Sequence, residues 1–404
     1  MVSRERLRCA LEHKEPDVVP IDFGAMRSTG ISAVAYGALR RHLKLPEKRF
    51  KVYDVVQQLA EPDRDAVQRL QADVIQLHRL HTVSGIANDE WREGALENGT
   101  PCLFPRGYSP RINEEGEQHL MLDGIVYARR PRGGRYFDPV HHPYQDVSTT
   151  GDIDRIPIEL ISEHELGYLQ KQGEELHRTT GYGILGAFGG GIYEVGQADF
   201  GIARYLCSLA TEPKLMHYYS ERLSRAHLEN LKRYLAAVGS YIDVIQFGDD
   251  LGTQTSLQIS VTMYREMIKP YQGELYSYVR RNYPHVKVFL HSCGAVAPLI
   301  PDLVDAGVEV LNPVQLSATG MNAKTLKREF GEVLAFWGGG VSTQTTLATG
   351  SVEEVASCVR ENLQVFAPGG GYVFTQDHNI QADVPPEKIV AIYETAIRWR
   401  SYER

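Results

Sequence analysis

The stretch FLHSCGAVAPLIPDL, Phe289–Leu303, opens as a hydrophobic strand, passes through a histidine, a cysteine and a glycine, and continues as an amphipathic segment. Side chains alternate faces along a strand, so His291 and Cys293 point the same way and Ser292 the other. An imidazole and a thiol therefore converge at the carboxyl end of a strand that feeds a helix. That is where α/β proteins place their ligands.

Working outward, the same unit recurs. Apolar runs of strand length begin at Val18 (VVPIDFGA), Ala72 (ADVIQL), Tyr182 (YGILGAF) and Asp243 (DVIQFGDD), and continue at Lys287 (KVFLHSC), Val308 (VEVLNPVQ), Val333 (VLAFWGGG) and Gly371 (GYVFTQDHN). They are rich in Val, Ile and Phe and apolar on both faces, as parallel strands covered by helices should be. Helical stretches lie between them, such as SVEEVASCVRENLQVFAPGG, where Ser351 with Glu354 three residues on forms a capping box. Eight such strands alternating with helices predict a (β/α)8 TIM barrel spanning residues 1–404 as one domain. A doubly wound open sheet would call for fewer strands and a phosphate-binding glycine loop, and no GxGxxG follows the first strand. One stretch, residues 98–144, breaks the rhythm. Its short alternating runs between EEGE, LDG and PRGG predict antiparallel hairpins, which would be inserted after the second strand and lie over the barrel mouth.

Composition sets the limits. The 404 residues carry a formal net charge of −8 with acids and bases interspersed, so no basic stripe offers itself to nucleic acid. The apolar runs are too short to span a bilayer, and the charged start MVSRERLRCALEHKEPD lacks a signal peptide's apolar core. Five unpaired-looking cysteines suit a reducing cytoplasm, with thiols free for metal or chemistry.

Polar groups gather at the strand ends: Asp22, Asp73, Asp249 and Asp250, His291 and Cys293, Asn312 and Gln315, Asp377 and His378. Such groups on apolar strands are costly unless paired, solvated or metal-bound, so their recurrence at one end predicts a polar site. His291 with Cys293 is a zinc-type donor pair, and zinc sites that do chemistry use about three protein ligands and one open position. His378, at the end of the last strand, is the candidate third ligand. Taken singly, His291 reads as a core histidine and Cys293 as a small buried hydrophobe. The glycine-rich loop GAFGGGIYE leads to Glu194, which near a metal would act as ligand or acid/base. Glu194 and Asp249 are the expected catalytic groups. Asp249 reads equally as a turn or helix-capping residue. Asp22, Arg27, Asp73, Asn312 and Gln315 are the expected substrate-binding residues.

These motifs resemble the uroporphyrinogen decarboxylase superfamily, which includes the decarboxylases and the corrinoid-dependent methyltransferases. SRERLRCALEHKEPDVVPIDFG looks like the family's first helix and strand, HSCGAVAPLIPDLVDAGVEVLNPVQ like its fifth and sixth strand units, and GGGYVFTQDHNIQADVPPEKIVAIYETA like its eighth. The resemblance implies a (β/α)8 barrel. Decarboxylases carry an arginine-rich RQAGRY-type segment that grips carboxylates; the equivalent GAMRSTGISAVAYGALR has Arg27 alone before its helix, while Asp73 matches the aspartate that holds pyrroles. The methyltransferases carry HxC on the fifth strand and a later cysteine, where this chain has DHN. The implied function is zinc-dependent methyl transfer between a small methylated substrate, such as a methyl ether, or a thiol acceptor, and a corrinoid protein. The alternative is a metal-independent decarboxylase. A homodimer is a further expectation.

Overall fold

Residues 1–82 and 84–402 are described by the computed structural model. Its centre is a parallel sheet of seven strands in the order Tyr372–Val373, Ala335–Trp337, Val310–Asn312, Lys287–His291, Val244–Gly248, Gly183–Gly189 and Val74–Leu77. The eighth member is the segment around Ile21. It bridges Phe374 in parallel, and its carbonyl accepts from the amide of Asp73 at 2.7 Å, so it joins the two edges and closes the (β/α)8 barrel. All eight runs expected from the sequence are present, in the expected order.

Strand alternation decides what fills the barrel. Val74, Leu185, Val244, Phe289, Val310, Ala335 and Val373 form one interior layer, each fully or almost fully buried. Two positions further along the same faces come Gln76, Ala187, Gln246, His291, Asn312, Trp337 and Thr375, so the next layer towards the carboxyl ends is mostly polar, with Ala187 and Trp337 the exceptions. The other end is plugged by the helix Ser3–Leu11, whose Leu7 and Leu11 join the apolar layer.

That plug is held by acids at the amino ends of strands. Asp73 accepts from Ser3 Oγ at 2.7 Å, from Arg6, and from the amide of Ile21 at 2.9 Å. Asp243 takes Arg8 and the amide of Ile184. Asp73 therefore does not stand at the mouth as expected. It belongs to the opposite end of the barrel, because it precedes its strand and does not follow it.

The interruption before residue 150 is antiparallel, as expected. Gln118–Leu122 pairs with Ile125–Arg130 in a four-stranded sheet, and Trp91–Ala95 pairs with Pro101–Pro105 in a five-stranded one. The five-stranded sheet also contains Phe50–Asp54 and Leu59–Ala60, from the connection after the first strand. Two elaborated loops thus share one structure, and hairpin formation begins before residue 98. Tyr136 fastens the insertion to the chain just past His378, accepting from Gln381 Nε2 at 2.6 Å and Asn379 Nδ2 at 3.3 Å.

The placement of Asp73 makes a direct prediction. Asp73→Ala leaves Arg6 and Arg400 facing a buried vacancy and should cost about 3 kcal/mol or more in thermal or denaturant unfolding. Metal binding by the folded variant should stay at the wild-type level, since the site lies at the other end.

Candidate metal centre

His291 ends its strand in register with Gly248 on one side and Asn312 on the other. Its Nδ1 lies 2.6 Å from Oδ1 of Asn312. The Asn312 amide is oriented by its own Nδ2, which donates to the Trp337 carbonyl at 2.8 Å, and Oδ1 also accepts from Ser28 Oγ at 3.0 Å. An oxygen so placed can only accept, so Nδ1 of His291 carries a proton and Nε2 is the ring nitrogen turned to the mouth. This is the arrangement that holds a metal-ligating imidazole in one tautomer.

Cys293 follows just beyond the strand end, with Sγ 3.4 Å from Nε2 of His291. Ser292 turns to the other side, where Oγ accepts from the amide of Leu251 at 3.1 Å. The loop then turns at Gly294, whose φ of +88° suits glycine; an added Cβ would meet the Thr253 carbonyl oxygen at 2.5 Å. Gln315 accepts from the Gly294 amide at 2.9 Å, and Asp250 Oδ1 from the Cys293 amide at 2.8 Å. Burial first, then the carboxylates of Asp250, Glu194 and Asp377, push the Cys293 thiol well above its ordinary range. A cation is what such surroundings lack: bound beside the sulfur, it would favour the thiolate.

The third donor comes from the last strand unit. His378 stands between buried Asp377, which accepts from the amide and hydroxyl of Thr343 at 2.7 Å each, and buried Asn379, which donates to Gln57 at 2.9 Å. Burial, with His291 and Arg27 nearby, holds His378 down at about 4, so the ring is neutral at pH 7. One donor atom each from His291, Cys293 and His378 falls within 4.8 Å of the others. One thiol and two imidazoles at these separations suit Zn2+, with a fourth position left to the cavity.

The centre opens on a cavity of about 530 Å3, lined among others by Arg27, Tyr53, Arg79, Glu194, Asp250 and both histidines. Burial first, then Asp250 and Asp249, raise the Glu194 carboxyl to about 8, so it holds its proton at neutral pH. Arg27 reaches the cavity as expected, its Nε donating to the nearly buried Asp54.

Other expected residues act at one remove. Asp249 is buried, and its oxygens are filled by the amides of Ile192, Tyr193 and Glu194 and by Gln272, at 2.7–2.9 Å. It caps the helix Tyr193–Phe200 instead of facing substrate, and Gly191 permits the approach, since a Cβ there would meet Asp249 Oδ1 at 2.7 Å. The cavity carboxylate is its neighbour Asp250. Strand parity could have made that choice, because Val244, Gln246, Gly248 and Asp250 share the inward face. Asp22 is wholly buried and accepts from the Trp337 indole at 2.8 Å, while Asn312 and Gln315 hold His291 and Gly294; none of the three lines the cavity. Tyr53, Gln57, His78, Arg79 and Gln246 do line it, and the reading of the sequence singled out none of them. No residue of 98–144 is among the cavity's described lining; that wall comes from Arg27–Gln57 and His78–Thr82.

Barrel and site together define a (β/α)8 protein with a His-Cys-His cluster at its catalytic end. The family model for uroporphyrinogen decarboxylase (URO-D) matches residues 147–399, and the chain belongs to that family. A methyltransferase from Methanosarcina mazei superposes with a TM-score of 0.61 over 98% of this chain and 99% of that one, at 16% identity, which shows a shared fold. An α-amylase from Geobacillus thermoleovorans, 11% identical over 60% of this chain and 63% of its own, reaches a TM-score of only 0.35 and carries no argument. Comparison with the curated proteins finds no match.

Two outcomes follow from this geometry. Asn312→Ala frees the His291 ring and should weaken zinc about 10–100-fold in a chelator competition; an unchanged affinity would mean that the amide does not orient the ligand. In metal-free protein, infrared difference titration of the Glu194 carboxyl should give a midpoint near 8. Zinc should move it down, since a dication favours the carboxylate, whereas a midpoint near the usual 4.3 without zinc contradicts the assignment.

Proposed function

We propose that this chain is a zinc-dependent methyltransferase of its family, moving a methyl group between a small methylated substrate, or a thiol acceptor, and a corrinoid protein. One observation carries the proposal: a thiol and two imidazoles converge within 4.8 Å at the mouth of the barrel. When bound, zinc would supply a Lewis acid there, able to polarise a methyl ether oxygen or to favour the thiolate of an acceptor.

The chain's own groups have definite parts. His291, Cys293 and His378 are the ligands, and Asn312 fixes the tautomer of the first. Asp250 holds the Cys293 amide, its oxygen also 3.6 Å from His291 Nε2. Glu194 lines the same cavity, its carboxyl raised to about 8 before any cation binds, and in its protonated form would deliver that proton to the oxygen left when a methyl group departs. Arg27, held by Asp54, would orient the substrate.

The hairpins of 98–144, fastened beside His378 through Tyr136 but outside the cavity lining, are the part we assign to meeting the corrinoid protein. The decarboxylase alternative draws on Asp73 or Asp249 with Arg27; Asp73 is tied to Ser3 and Arg6 at the opposite end, and the oxygens of Asp249 are taken by Ile192, Tyr193, Glu194 and Gln272.

With zinc-loaded protein and a reduced corrinoid, a panel of methyl donors that includes aryl methyl ethers should yield methyl-cobalt, followed by absorbance. Cys293→Ser should lower the rate at least about 100-fold. Formation of coproporphyrinogen from uroporphyrinogen in an anaerobic assay, with no methyl-cobalt from any donor, would overturn the proposal. Replacing 98–144 by a short Gly-Ser linker should spare zinc content and abolish transfer to the corrinoid protein; full transfer would remove the hairpins from the mechanism.

A further inference from the structure

We propose that Arg79 forms an anion-binding pole of the reaction cavity, so that the substrate is a methylated compound bearing a carboxylate remote from its methyl group. The inference rests on the methyl-transfer reading for the identity of the reacting end. Arg79 follows the strand Val74–Leu77 and lines the same cavity as His291 and His378. Two strands, Gly183–Gly189 and Val244–Gly248, separate its strand from that of His291, which sets the guanidinium across the mouth from the metal ligands.

How Arg79 is held matters more than its charge. Its Nε donates to Glu165, a buried carboxylate whose other oxygen lies 3.3 Å from His81 Nδ1. One edge of the guanidinium is thereby fixed. Nη1 and Nη2 have no hydrogen-bond partner among the described residues, and the side chain keeps 23% of its surface exposed. A planar fork anchored at Nε and open at its other edge is shaped for two parallel bonds to a carboxylate.

Nearby polar atoms are short of partners too. The Tyr53 hydroxyl and Nδ1 of His78, both buried, have none, and their rings pack edge to face with centroids 4.6 Å apart on the same cavity wall. With Phe188 they line the cavity that Arg79 shares with both histidines, and such side chains suit an aromatic body. A carboxylated aryl methyl ether has an anion for Arg79, a ring for these side chains and a methyl group for the reacting end.

Isothermal titration of zinc-loaded protein with the methoxybenzoate isomers and their neutral amides tests this without turnover. At least one acid should bind roughly tenfold or more tightly than its amide, as a charge-assisted pair demands. Arg79→Gln should bring that acid down to its amide, and Arg79→Lys should recover part of the difference. Melting temperature and zinc content, measured alongside, verify that both variants are folded. Equal binding of acid and amide, no binding of any acid, or a preference that survives in Arg79→Gln would overturn the proposal. If the acid preference depends on Arg79 yet no bound acid gives methyl-cobalt, the anion pole stands and the methyl-transfer reading falls.

Discussion

The hydrogen bond from His291 Nδ1 to Asn312 Oδ1, at 2.6 Å, is the constraint on which the site depends. It exists because two neighbouring parallel strands place residues 291 and 312 in register, both on the inward face. The Trp337 carbonyl on the next strand fixes which way the amide points. Three adjacent strands thus settle which nitrogen of one imidazole faces the mouth. That ring directs Nε2 at the sulfur of Cys293, and His378 closes the cluster from the unit that completes the barrel.

Electrostatics around the cluster are one-sided. Asp250, Glu194 and Asp377 all oppose a negative sulfur, while desolvation suppresses charge on His378. A cation bound beside the sulfur would favour the thiolate, so metal binding there would release a proton. The cations of the cavity are already engaged, Arg27 by Asp54 and Arg79 by Glu165. Arg27 nonetheless adds to the forces that hold His378 down.

Much of this was legible in the sequence, for a physical reason. Parallel strands buried on both faces leave long apolar runs, and a polar group at their carboxyl ends has little reason to be there except function; His291, Cys293, His378 and Glu194 were found that way. Asp73 misled because a residue before a strand looks much like one after it in composition, though the two lie at opposite ends of a barrel. Asp249 misled because adjacent acids were not separated by strand parity, which assigns Asp250 to the cavity and Asp249 to a helix cap. Asn312 and Gln315 were placed at the site but act on ligands and loop instead of substrate. The wall formed by Tyr53, His78 and Arg79 had no signal of its own, since it depends on how two irregular loops share a sheet.

The central claim is that one sulfur and two imidazole nitrogens of this chain bind zinc. X-ray absorption at the zinc edge of the loaded protein measures that donor set directly. The account predicts one sulfur at about 2.3 Å and nitrogens at about 2.0–2.1 Å, with the sulfur contribution lost in Cys293→Ser. A first shell made only of oxygen and nitrogen in the wild type, or a sulfur signal that persists in Cys293→Ser, would contradict it.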